Sequence, residues 1–164
     1  MITCLYGTVP TIYFWPYFIF FSALIVTLRT DLETMLISRF MTLTLVPLGF
    51  GLSLLGYLPI SWYESLTGSV LGYGILWTVA KLFKVVTSKD GLGEGDMELM
   101  ALIGAFLGPL GCWITLLVGS LFGSIVGLMI QLITHRRLIP FGPFLALGAM
   151  TYVLLETQLL LLLF

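Results

Sequence analysis

Asp96 closes the run Gly91-Leu92-Gly93-Glu94-Gly95-Asp96 and heads the apolar stretch Met97 to Leu107. A second acid, Asp31, follows the apolar stretch Thr11 to Leu28. Ionisable groups in such settings are costly, and they mark functional sites by default. Two carboxylates held close together cannot both ionise easily, so one keeps a proton while the other stays charged. The charged member can draw a proton from water while the neutral member polarises a carbonyl, which is the logic of aspartyl peptide hydrolysis. Each Asp also has a structural reading. Asp96 suits a helix cap after glycines, and Thr30-Asp31-Leu32-Glu33 fits a capping box with Thr30 as cap. Which reading holds depends on the elements that carry the two acids.

Those elements are membrane spans. The chain has 164 residues, of which 59% are hydrophobic and 9% charged. Its mean hydropathy is +1.12. Soluble domains carry about 25% charged residues, so the composition predicts an all-α, polytopic membrane protein forming a single domain over residues 1–164. The net charge of −1 selects no partner. The N-terminal stretch lacks a basic residue ahead of its apolar core, and Tyr13-Phe14-Trp15-Pro16-Tyr17-Phe18 suits an interfacial aromatic belt, so it reads as a retained span rather than a cleaved signal.

Charge-free stretches divide the chain into spans at about 11–28, 40–58, 65–83, 97–107, 112–134 and 141–163. No Asp, Glu, Lys or Arg occurs between Glu98 and Arg136. A straight helix over that interval would reach ~55 Å, too long for a hydrocarbon core of ~30 Å. It must break, and Gly108-Pro109-Leu110-Gly111 is the place. With six spans, Arg29, Arg39, Lys81, Lys84, Lys89, Arg136 and Arg137, all seven basic residues, fall on one side. The positive-inside rule makes that side cytoplasmic and both termini extracytoplasmic. Asp31 and Asp96 then emerge on the same face. Span four, at ~18 Å, is shorter than the core; either Asp96 lies below the headgroups, or the helix continues through Pro109 with a kink and Asp96 sits at the surface.

Other chemistries find little support in the residues. Cys4 and Cys112 form no CxxC pair, and His135 has no Cys or His partner at ligand spacing, so neither a metal nor any other cofactor is expected. The glycine run lacks the Lys-Ser/Thr ending of a phosphate loop, and no nucleic-acid surface is visible. Gly119, Gly123 and Gly127, and likewise Gly68 and Gly72, repeat every four positions. Such faces let helices approach closely, within the chain or between copies in an oligomer.

Three segments, in order, resemble the type IV prepilin peptidase family of GxGD intramembrane aspartyl proteases. Gly93-Glu94-Gly95-Asp96 with Leu99 resembles its GxGDxKL signature. Asp31 with Leu32, Thr34 and Ile37 resembles its D-L-x-T-x-x-I-P-[DN] segment. Ile139-Pro140-Phe141-Gly142-Pro143-Phe144-Leu145-Ala146 is similar to its IPFGPFLA block. The chain departs from the pattern at Ser38 and Arg39, where the family usually has Pro and Asp or Asn, and at Glu98, where it usually has Lys.

The resemblance implies an aspartic endopeptidase of the bacterial inner membrane, with Asp31 and Asp96 as catalytic pair and Gly93 and Gly95 in the active-site loop. It implies prepilin or pseudopilin substrates of pilus or type II secretion systems, cut on the cytoplasmic side. Their basic leaders would meet Glu33, Glu94 or Glu98, while Lys81, Lys84 and Lys89 serve as anchors. The paired CxxC motifs of larger relatives have no match, so methyltransferase activity is not expected. Two other readings stand beside this one: a small proton-coupled transporter using the same acids, and an inactive peptidase-like scaffold.

Overall fold

The computed structural model describes residues 12–34, 39–88, 93–134 and 140–163. The expectations placed on Cys4, Ser38, Lys89, His135, Arg136 and Arg137 fall outside them. The described chain is all-helical, with five helical elements: α1 (Phe14–Thr34), α2 (Arg39–Leu54), α3 (Trp62–Thr87), α4 (Glu94–Thr134) and α5 (Gly142–Leu163).

α1 does not stop where the apolar run stops. Tyr17, Phe20, Leu24, Thr27 and Asp31 are buried at intervals of three and four, the spacing of one helix face. That face carries Asp31 into the interior three residues past Leu28. Arg29 Nε donates to Glu33 Oε1 at 2.9 Å, four positions on, and Thr30 Oγ1 donates back to the carbonyls of Val26 and Thr27. Thr30 is therefore an interior helical residue, not the cap of a new helix. The helix runs on to Thr34, through the stretch expected to be a polar connection after Leu28.

α2 ends in a Schellman motif. Gly56 takes φ 74, Gly56 N–H donates to Ser53 O, and Tyr57 N–H donates to Leu52 O at 2.9 Å. A left-handed residue is needed there, and glycine takes it without steric cost. α3 starts with Ser61, whose amide donates to Glu64 Oε2 at 2.8 Å. Its buried face runs Ser65, Gly68, Gly72 and Leu76.

α4 contains a break at Gly108, whose φ of 71 and ψ of −174 are not helical. The chain reverses there. Cys112 Sγ approaches Met100 O at 3.8 Å and donates to Gly68 O at 3.3 Å, whereas residues twelve apart on a straight helix would stand ~18 Å apart. The two arms, 94–107 and 109–134, form a hairpin, so the kinked-continuous alternative does not hold.

Residues 96–107 of the first arm are buried on all sides, the signature of a central helix. Phe106 stacks on Phe20 of α1 with ring centroids 5.0 Å apart. Gly68 of α3 packs so closely that a Cβ on it would lie 2.4 Å from Gly104 O. The second arm meets α5, where a Cβ on Gly119 would lie 3.0 Å from Phe144 O. Both small-residue faces are thus used for contacts within the chain. Large apolar side chains such as Val85, Val86, Leu132 and Ile133 cover the outside. Two stretches, Trp62–Thr87 and Glu94–Ile130, are long and apolar enough to cross a membrane.

Candidate active site

The end of α1 and the starts of α2, α4 and α5 converge. Asp31 is buried on the last turns of α1, and its carboxylate accepts the backbone N–H of Gly142 in the first turn of α5. The free amides at a helix N-terminus suit a carboxylate. The other carboxylate oxygen, Oδ2, is buried and has no hydrogen-bond partner among the described residues. Buried polar atoms of this kind are rare and call for an explanation.

Asp96 is also buried. α4 begins at Glu94, so Asp96 is its third residue, three past the cap position at Gly93. Its amide donates to Gly93 O at 3.2 Å, and its carboxylate accepts the Gly93 amide. A Cβ on Gly93 would meet Asp96 Oδ2 at 3.5 Å, an ordinary contact. It is the backbone amide of Gly93 that serves Asp96. Gly95 forms the first turn of α4 beside it.

The two acids act on one another. Asp31 lies past the apolar run ending at Leu28, and Asp96 stands at the head of the apolar stretch Glu94–Ile130, within electrostatic reach of Asp31. Burial raises the Asp31 carboxyl, against the Gly142 amide that lowers it. Two carboxylates so placed cannot both ionise easily.

The three glutamates predicted to meet substrate are engaged within the chain. Glu33 pairs with Arg29. Arg39, at the start of α2, places Nε 2.8 Å from Glu98 Oε1 and a terminal nitrogen 3.3 Å from Glu94 Oε2. Glu98 is buried, and Thr42 Oγ1 donates to its second oxygen at 3.0 Å. The Glu98 carboxylate is thus filled from both sides, which removes it as a free acid for a basic leader. A cavity of about 480 Å³ lies beside this cluster, lined by Leu43, Val46, Pro47, Tyr73 and Ala101 beyond the polar group. Sequence reasoning missed Gly142 and Thr42 as members of this region. Gly142 lay within a noted motif, but nothing in a linear string shows which carboxylate its amide serves. Among the described residues no group of His, Cys, Asp and Glu is arranged to hold a metal ion.

Residues 18–128, more than half of the chain, match the model of the Type IV leader peptidase family. The chain belongs to that family. The matched region of this leader peptidase family member contains both Asp31 and Asp96, and α5 follows it. Among similar proteins, the prepilin leader peptidase/N-methyltransferase of Aeromonas salmonicida (strain A449) is 41% identical over 122 residues, 72% of this chain and 41% of that protein. The protein of the same description from Stutzerimonas stutzeri is 36% identical over 132 residues, 79% of this chain and 45% of its own. That from Escherichia coli (strain K12) is 36% identical over 135 residues, covering 81% and 60%. The chain therefore spans 41 to 60% of the length of these relatives. No solved structure matches it.

Proposed function

We propose that this chain is an intramembrane aspartic endopeptidase that trims the leader of prepilins or pseudopilins, with Asp31 and Asp96 sharing the work. One observation carries the reading: Asp31 Oδ2 is a buried carboxylate oxygen without a hydrogen-bond partner among the described residues, within electrostatic reach of a second buried acid. That is a poor way to build a cap and a good way to hold a water.

Asp31, supported by the α5 amide, serves as the ionised member, and Asp96 as the protonated one. The Asp31 carboxylate takes a proton from water as the water oxygen bonds to the scissile carbonyl carbon, and the Asp96 proton moves to the carbonyl oxygen. Collapse of the tetrahedral intermediate breaks the C–N bond. The proton held by Asp31 passes to the leaving amine, and the hydroxyl proton returns to Asp96. Each substitution of this pair removes one half of the exchange.

The same reading makes the chain a multi-pass protein of the bacterial inner membrane with six spans, α4 supplying two of them. Arg29, Arg39, Lys81 and Lys84 lie at the helix ends where the acids converge, which supports a cytoplasmic site and extracytoplasmic termini. Lys81 Nζ rests 4.2 Å from the Trp77 ring centroid, an arrangement typical of interfacial anchoring. The scaffold reading drew on the departures at Ser38, Arg39 and Glu98; Ser38 lies outside the described residues, and the direct pairing of the other two weakens that reading.

The test is co-expression with a prepilin-like precursor. Wild type shortens the precursor, and Asp31→Asn and Asp96→Asn each leave it uncut while the protein still accumulates in the membrane. Processing that survives either substitution ends the catalytic assignment.

A further inference from the structure

Arg39 and Glu98 are the two charged departures from the family pattern, and the fold puts them in contact. Where the pattern has an acid or Asn at the first position and Lys at the second, this chain has a base and an acid, joined at 2.8 Å. Glu94 and Glu98 lie one helical turn apart on α4, and Arg39 reaches both. Asp96, two residues from each, points about 200° away around the helix axis. α2 therefore grips one side of the α4 first turn while Asp96 faces Asp31 on the other.

We infer that Arg39 is a positioning residue: by bridging Glu94 and Glu98 it fixes the rotation of the first arm of α4 and thereby aims Asp96 at Asp31. The grip is firm because Glu98 is buried and also held by Thr42. Removing Arg39 leaves a buried carboxylate short of its counter-charge, and the arm must turn or shift to rehydrate it. Only the Glu98 end of the pair is buried, and Arg39 and Glu94 are exposed, so the contact adds little to stability and its consequence lies in the geometry it sets. The inference rests on the peptidase reading, since only cleavage reports the alignment of the two acids.

The experiment compares wild type, Arg39→Ala, Arg39→Lys, Glu98→Lys and the double variant Arg39→Asp/Glu98→Lys, using full-length protein in detergent, a prepilin-like precursor, and rates normalised to purified folded protein. Misalignment by ~1 Å costs on the order of 10²-fold, so Arg39→Ala and Glu98→Lys are expected to lower kcat to that extent with KM within about twofold. Arg39→Lys keeps the charge but not the planar fork that spans both acids, and is expected to lose about tenfold in kcat. The double variant, which restores the family polarity, is expected to recover most of the loss suffered by Glu98→Lys alone. The inference is overturned if Arg39→Lys cuts at the wild-type rate, if the losses appear in KM alone, or if the double variant is no better than Glu98→Lys. A wild type that cuts nothing overturns the peptidase reading, and this inference with it.

Discussion

The carboxylate of Asp31 accepts the backbone amide of Gly142, so the last turns of α1 dock onto the first turn of α5. Gly142→Pro deletes that one donor while keeping a residue suited to a helix start. The ionised form of Asp31 then loses support. Cleavage is expected to fall about tenfold near neutral pH, and the acid limb of the rate profile to move to higher pH. Initial rates of precursor cleavage across pH, in purified variant and wild type, give both quantities.

The profile of the wild type follows from the same pair. In the proposed mechanism Asp96 must hold its proton, so the rate declines at alkaline pH, roughly tenfold per unit once that proton is lost. The acid limb belongs to Asp31, which must lose its proton and is itself raised by burial. An alkaline limb that is unchanged in Asp96→Asn would exclude Asp96 as the acid.

Glycines of the bundle separate into two kinds. A Cβ on Gly104 would fall 2.1 Å from Gly68 O, whereas one on Gly74 would meet nothing within 4 Å. Gly104→Ala must push α3 away from the central arm and is expected to cost about 1–3 kcal/mol. Gly74→Ala lies on an open helical surface and should gain up to about 1 kcal/mol from the lower chain entropy of alanine. Unfolding of each purified variant in mixed micelles distinguishes opposite signs.

Phe106 fills the space between α1 and α2. It is fully buried, stacked on Phe20, and its ring would touch a Cβ on Gly49 at 2.7 Å. Phe106→Ala is expected to cost about 3–5 kcal/mol through lost contacts and the cavity left behind. Gly49→Ala, which crowds the same ring, should be partly tolerated in the Phe106→Leu background and poorly tolerated alone. Protein yield and thermal midpoints in the four combinations measure that coupling.

Much of the candidate site could be read from local signals. Asp96 announced itself because glycines and an apolar run flank it, and the α4 break was visible in Gly108-Pro109. The limits of α1 were not, because the Thr30-x-x-Glu33 pattern serves equally as a cap or as two interior residues. Burial of Asp31 on a continuing face, a tertiary effect, decides between them. Arg39 and Glu98 looked like two separate faults in a motif. Their partnership is invisible in a linear string, since they stand 59 positions apart and the contact exists only once α2 packs on α4.

The first arm of α4 touches protein on every side along residues 96–107. In the membrane-embedded arrangement proposed above, a thinner or thicker bilayer would act on the outer helices through tilt and local deformation. The arm that bears Asp96 would be insulated from those adjustments by the protein around it, like an axle inside a sleeve, so one short helix could carry an acid at a constant height across membranes of differing composition.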